Sequence, residues 1–144
     1  MKNVFSLVAL CALGLAACGG AEEAAEEMPA SLGSVTIVEP ANGSTVTGPN
    51  VTVRLTTTGV PIVPAGDLTA GTGHHHLYLD ADLSPLAAPV PTVPGSIVHM
   101  GNAASEFTFE NVPPGQHRLI AVVADGVHVP LNPTVMDTVT FTVQ

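Results

Sequence analysis

Between His117 and Ala124 the chain reads Leu119-Ile120-Ala121-Val122-Val123, with no polar side chain on either alternate set. Successive side chains of a strand point to opposite faces, so a strand built from this run must be covered on both sides. The run therefore belongs at the centre of a sheet, and the rest of the chain has to supply its neighbours and its covers.

Candidate neighbours are short and alternate. Val35-Thr36-Ile37-Val38 has the period of a strand, and Pro40-Ala41-Asn42-Gly43 reads as the turn after it. Val51 to Thr56 places Val51, Val53 and Leu55 on one face. Residues 75–79 alternate less cleanly, and Phe107 and Phe109 share a face of a further strand. Pro113-Pro114-Gly115 turns the chain into the central run, and Val135 to Val143 alternates Val139, Phe141 and Val143 against threonines. No segment from Ser34 onward sustains a helical period. Short strands with Gly, Pro and Asn at their junctions predict an all-β fold, an immunoglobulin-like antiparallel β-sandwich over residues 34–144. Residues 58–74 and 80–95 hold six prolines, Pro61, Pro64, Pro85, Pro89, Pro91 and Pro94, and are expected to be long ordered loops. Loops of that length in a compact domain usually carry function or are disordered.

The beginning of the chain has a different character. Lys2 precedes an uncharged stretch from Val4 to Ala17, which is shorter than the roughly 20 apolar residues of a spanning helix. It ends Leu15-Ala16-Ala17-Cys18, which is similar to the lipobox of bacterial lipoproteins. Residues 1–17 are expected to be a signal peptide, removed after a lipid is placed on Cys18. Gly19 and Gly20 follow, without the aspartate associated with inner-membrane retention. The expected address is thus the outer membrane facing the periplasm, or the cell surface. Residues 18–33 then form the lipidated cysteine and an acidic tether, in which Glu22, Glu23, Glu26 and Glu27 act as a solvated spacer stopped at Pro29. Cys11 leaves with the leader, so the mature chain holds no cysteine pair for a disulfide.

The full sequence carries 12 acidic and 3 basic residues, a formal charge of −9. Loss of Lys2 takes this from −9 to −10 and leaves Arg54 and Arg118 as the only strong bases. Phosphate backbones are met by positive charge, so nucleic-acid binding is excluded. The remaining partners are the membrane, through the lipid, an envelope protein, or a metal ion.

Histidines carry the chemistry that can be read. In a strand through Gly73-His74-His75-His76-Leu77-Tyr78-Leu79-Asp80, His75, Leu77 and Leu79 face the core. His74, His76, Tyr78 and Asp80 then face the other way. Two imidazoles at i and i+2 converge on one ion, and a carboxylate can act as ligand or orienter. His117 and His128 lie where strand pairing could bring them close, and His99 sits in the same domain. The candidate metal set is His74, His76, Asp80, His117 and His128, and imidazole-rich ligation suits copper or zinc over calcium or magnesium. Met100 and Met136 could add thioethers to copper, although both also suit core or loop packing. Asp125 is a candidate partner for an imidazole near His128. The alternative is a non-catalytic structural or interaction module of the envelope, its histidines fixing loops. Enzymes find less support: there is no Gly-x-Ser-x-Gly turn, no His-Glu-x-x-His helix and no mature cysteine nucleophile.

Taken in order, Pro64-Ala65-Gly66, Gly71-Thr72-Gly73-His74-His75-His76-Leu77, Pro113-Pro114-Gly115-x-His117, Ala124-Asp125-x-x-His128-x-Pro130 and Pro133-x-Val135-Met136 resemble one bacterial family, DUF4399. The resemblance spans roughly Val35 to Val143 and implies an exported β-sandwich of no assigned activity. It also implies that His74, His75, His76, Asp80, His117, Asp125 and His128 are family features. Two segments depart from the pattern. Ile97-Val98-His99-Met100-Gly101 replaces a His-x-His-Phe-Gly segment, and Leu131-Asn132 stands in place of a histidine followed by aspartate. Both departures remove polar groups that a metal site could use.

Overall fold

A computed structural model describes residues 33–144. Cys18, the leader and all but the last residue of the tether lie outside the described residues. The described chain is all-β, with eight strands and no helix: β1 (Ser34–Glu39), β2 (Thr45–Val46), β3 (Val51–Thr58), β4 (His74–Leu79), β5 (Ile97–Met100), β6 (Glu106–Phe109), β7 (Gly115–Ala124) and β8 (Met136–Val143). They form a β-sandwich, a three-stranded sheet ordered β1-β3-β6 against a five-stranded sheet ordered β2-β8-β7-β4-β5.

The run apolar on both faces is the middle strand of the larger sheet, β7, antiparallel to β4 on one side and β8 on the other. Its two faces enter two separate clusters. Leu119, Ala121 and Val123 point between the sheets and join Val35, Ile37, Val51, Val53, Leu55, Leu77, Leu79, Val139 and Phe141 in the main core. Ile120, Val122 and Ala124 point outward, where they pack with Tyr78, Ile97 and Val90 into a second, smaller core. Fully burying one such aliphatic side chain contributes roughly 1.5–3 kcal/mol. The described residues contain no cysteine, and the two clusters together account for their holding as a sandwich.

The proline-rich segment 80–95 makes the outer core possible. It folds back over the larger sheet, bringing Ala81, Leu83 and Val90 onto the outward side chains. The Tyr78 hydroxyl meets Ser84 Oγ at 2.8 Å, and Val90 N donates to the His128 carbonyl at 2.9 Å. Segment 58–74 is similarly ordered. Val63 N donates to Gly73 O, and Ala65 N donates to Gly101 O at 2.9 Å. Hydrogen bonds and isolated β-bridges, rather than continuous ladders, hold both loops.

Two features depart from the sequence reading. β2 is a two-residue strand parallel to β8, so the larger sheet is mixed rather than purely antiparallel. Residues 97–100 form an edge strand, β5, which pairs with β4 and places His99 opposite His76.

Candidate metal centre

Strand β4 is buried along its whole length, and its alternation divides the histidine triplet. His75 shares the inner face with Leu77 and Leu79. Its Nε2 lies 2.8 Å from Thr57 Oγ1 and its Nδ1 lies 2.9 Å from the Ala104 carbonyl oxygen. The carbonyl can only accept, so Nδ1 carries the proton and the threonine hydroxyl donates to Nε2. Both ring nitrogens are satisfied, and His75 is a core histidine.

His74 and His76 share the outer face with Tyr78. Both are fully buried, at 0% and 1% exposure, and they meet two further imidazoles. His99 comes from β5, directly opposite His76. His128 comes from the turn after β7. One nitrogen from each of His74, His76, His99 and His128 lies within 4.8 Å of all the others. His76 Nε2 is 3.0 Å from His74 Nε2, and His128 Nδ1 is 3.1 Å from the same atom. The six ring-centroid distances run from 4.5 Å for His99–His128 to 5.6 Å for His76–His128. A tetrahedral ion with metal–nitrogen bonds of about 2.0 Å holds its ligand nitrogens about 3.3 Å apart and their ring centres about 5 Å apart. The centroid distances bracket that value.

His128 reaches the group through a strained turn. Its φ is +72°, a left-handed conformation that costs a non-glycine residue about 1–3 kcal/mol. Asp125 holds the turn: its Oδ1 accepts from Val127 N at 3.0 Å and Val129 N at 2.9 Å, and its carbonyl accepts from His128 N. The expected bond from Asp125 to an imidazole is absent, and the carboxylate instead shapes the loop that presents one. Gly126 seats this turn on the 58–74 loop, since a Cβ there would collide with the Asp67 carbonyl.

The electrostatics favour the neutral form of three of these imidazoles. Burial first, then repulsion from His99 and His128, pushes the His74 pKa down to about 4. Burial followed by repulsion from His74, His99 and His128 takes His76 to about 3. His99 is also lowered, by burial and by His128. Near neutral pH these three rings carry lone pairs, the form that binds a metal without displacing a proton.

Two ring nitrogens of the group have no partner. Nδ1 of His74 and Nδ1 of His76 are buried with no hydrogen-bond partner. Each neutral ring has one N–H and one lone pair, so both rings leave a polar atom unanswered whichever tautomer they adopt. An unsatisfied buried group costs about 1–3 kcal/mol. The atoms that meet the neighbouring rings are the Nε2 atoms of both, so the unpartnered Nδ1 atoms point away from the shared centre.

Two of the sequence-predicted ligands lie elsewhere. Asp80 has φ +53°, so the strand ends there and its carboxylate swings out of the His74–His76–Tyr78 row. It accepts from His117 Nδ1 at 2.6 Å and from Arg118 N at 2.9 Å. His117 has the parity of Leu119, packs against Phe141 on the inner face, and gives its second N–H to the Pro113 carbonyl at 2.8 Å. Seven steps along β7 separate it from Ala124, the residue paired with His74, a run of roughly 23 Å. His117 is on the wrong face and at the wrong end to join the group. His99 takes the open place. It sits on a strand that the sequence reading does not assign, although the β-prone run Ile97-Val98-His99-Met100 between Pro94-Gly95 and Gly101 signals one. Met100 lies in the main core, and Met136 pairs with Val122, a full strand away from β4, so no thioether enters the group.

The profile of the DUF4399 family, described as a domain of unknown function, matches residues 53–144. No curated protein matches the chain. Among solved structures it is similar to an engineered protein, at 13% identity and a TM-score of 0.44, over 78% of this chain and 20% of that one. It is also similar to the endo-β-1,4-mannanase from Thermotoga petrophila, at 15% identity and a TM-score of 0.45, again over 78% and 20%. The chain thus spans about a fifth of the length of these solved proteins. Likeness this distant says nothing of its chemistry.

Proposed function

The chain belongs to the DUF4399 family, a domain of unknown function, and on that footing we propose that it is an exported lipoprotein that binds a copper or zinc ion through His74, His76, His99 and His128. The meeting of four imidazole nitrogens within 4.8 Å, two of them on fully buried rings, carries the reading. An all-nitrogen set suits the borderline metals at the top of the divalent affinity series, copper above zinc, and offers nothing to calcium or magnesium, which take oxygen. With all four rings engaged no coordination position is left for a substrate, so the role is to hold or hand over an ion. His75 and His117, each with both nitrogens satisfied by protein groups, serve the fold.

Calorimetric titration of the tag-free protein with zinc or copper(II) tests this. It should show one ion per chain, with binding lost when His74 and His76 are both replaced by alanine. Weak, equal binding by wild type and variant would contradict it.

The envelope address rests on the leader and Cys18. Cells fed a labelled fatty acid should incorporate the label into this protein, and Cys18→Ala should abolish the labelling and release the protein from membranes. A wild-type protein recovered with its leader attached and its cysteine unmodified would remove the lipoprotein part of the reading, leaving the metal site untouched.

A further inference from the structure

His99 is the least anchored of the four ligands, exposed on an edge strand, and what positions it is a missing side chain. β5 ends at Met100, and the space beside the His99 ring belongs to the next position, 101. That position is glycine. A Cβ built on Gly101 would lie 2.5 Å from His99 Cε1 and 2.6 Å from His99 Nε2. The imidazole is therefore leaning along the strand into the place a side chain would fill. The register explains why the lean matters. His76 pairs with His99 and His75 with Met100, and Gly101 follows in the turn where the chain leaves the strand. By tilting over Gly101, the ring comes within 4.9 Å of the His74 ring as well as 5.1 Å of the His76 ring.

The surroundings restrict the other ways to make room. The Gly101 carbonyl accepts from Ala65 N at 2.9 Å, which pins the backbone, and Ala65 Cβ would stand 3.2 Å from the added methyl on its other side. Gly101 is not among the residues with positive φ, so alanine is compatible with its backbone. The exposed imidazole is the part free to yield.

We infer that Gly101 is a positioning residue that seats His99 as the closing ligand, and so sets whether the ion is held by four nitrogens or by three. The inference rests on the metal reading above and adds a specificity element to it. With three nitrogens, the fourth position passes to water or a small anion, and a site that holds an ion tightly becomes one that exchanges it.

Cobalt(II) is a suitable probe, because its visible spectrum reports coordination. The experiment loads tag-free wild type, Gly101→Ala and His99→Ala with cobalt(II), adds azide, and follows release to a chelator. Wild type should give a tetrahedral spectrum that azide leaves unchanged. Both variants should bind cobalt(II), shift on azide addition, and release the ion at least about tenfold faster. A Gly101→Ala spectrum and release rate equal to those of wild type would overturn the inference while leaving the metal reading standing. If Gly101→Ala does not fold, His99→Ala decides, since it removes the ring without touching the backbone, and azide insensitivity there would overturn the closing role. Failure of wild type to bind cobalt(II), zinc or copper(II) would overturn both readings together.

Discussion

Replacing His74 and His76 together with leucine is expected to abolish stoichiometric binding of zinc and copper, and to raise the melting temperature of the metal-free protein. The first effect follows from removing two of the four proposed ligands, both on the fully buried strand β4. Affinity should fall by more than about a hundredfold, since even groups that only orient ligands matter ten- to hundredfold. The second effect follows from the two orphaned Nδ1 atoms. Leucine of similar volume removes both unanswered polar atoms and extends the outer core of Tyr78, Val122 and Ala124. A gain of about 1–2 kcal/mol corresponds to roughly 5–10 °C in a domain of this size. His75→Leu should do the opposite, because it strips Thr57 and the Ala104 carbonyl of their buried partner. Thermal melts with and without chelator distinguish the cases. A metal-free melting temperature that falls in the double leucine variant would assign the pair to the fold rather than to an ion.

His117→Ala is expected to destabilise the domain by about 2–4 kcal/mol, combining a cavity beside Phe141 with the loss of a charge-assisted hydrogen bond. Its pH dependence gives a sharper signature. Both ring nitrogens face acceptors, Asp80 Oδ2 and the Pro113 carbonyl, so the satisfied form is the imidazolium. Burial by itself lowers the pKa, but the hydrogen bonds to Asp80 and Pro113 and the charge of Asp80 outweigh it, and the net direction is upward. A raised folded pKa gives stability that is complete below the unfolded value of about 6.5 and is lost as pH rises through the folded value. His74 and His76 have the reverse sign. Their depressed values, about 4 and about 3, give stability that is present above pH 6.5 or so and lost as pH falls toward those values. The metal-free protein should therefore be most stable near pH 6.5. His117→Gln should flatten the alkaline limb, and the double leucine variant should lessen the acid limb. Chemical denaturation across pH 4–9 reads both limbs, and an alkaline limb unchanged in His117→Gln would refute the imidazolium assignment.

Much of the fold could be read because hydrophobic alternation is written locally. Val51, Val53 and Leu55 on one face, and Val139, Phe141 and Val143 on another, needed only a period of two. The doubly apolar stretch of β7 announced a central strand, and the cover on its outer face turned out to be the proline-rich segment 80–95. That segment has no period to read, because backbone bonds and a few apolar contacts hold it rather than a ladder. Strand β2, of two residues, is too short to carry a pattern, and β5 is signalled by β-prone residues between turn signals rather than by a clean alternation.

The site divides in the same way. The side of β4 that carries His74 and His76 follows from alternation alone, and their proximity follows from that. Which distant histidines join them is a matter of register. His99 enters because β5 pairs with β4, and His128 enters because a turn held by Asp125 takes a left-handed residue. His117 and Asp80 share the triplet's neighbourhood in pattern, but they sit at the opposite end of a strand pair and bind each other. Sequence spacing could not tell one end of a ladder from the other.

X-ray absorption at the metal edge of the zinc- or copper-loaded, tag-free protein addresses the four-imidazole site most directly. Four nitrogen scatterers at about 2.0 Å, with the outer-shell scattering of imidazole rings and loss of that pattern in the His74/His76 double variant, is the predicted result. A shell dominated by oxygen, or a spectrum identical in wild type and variant, would contradict it.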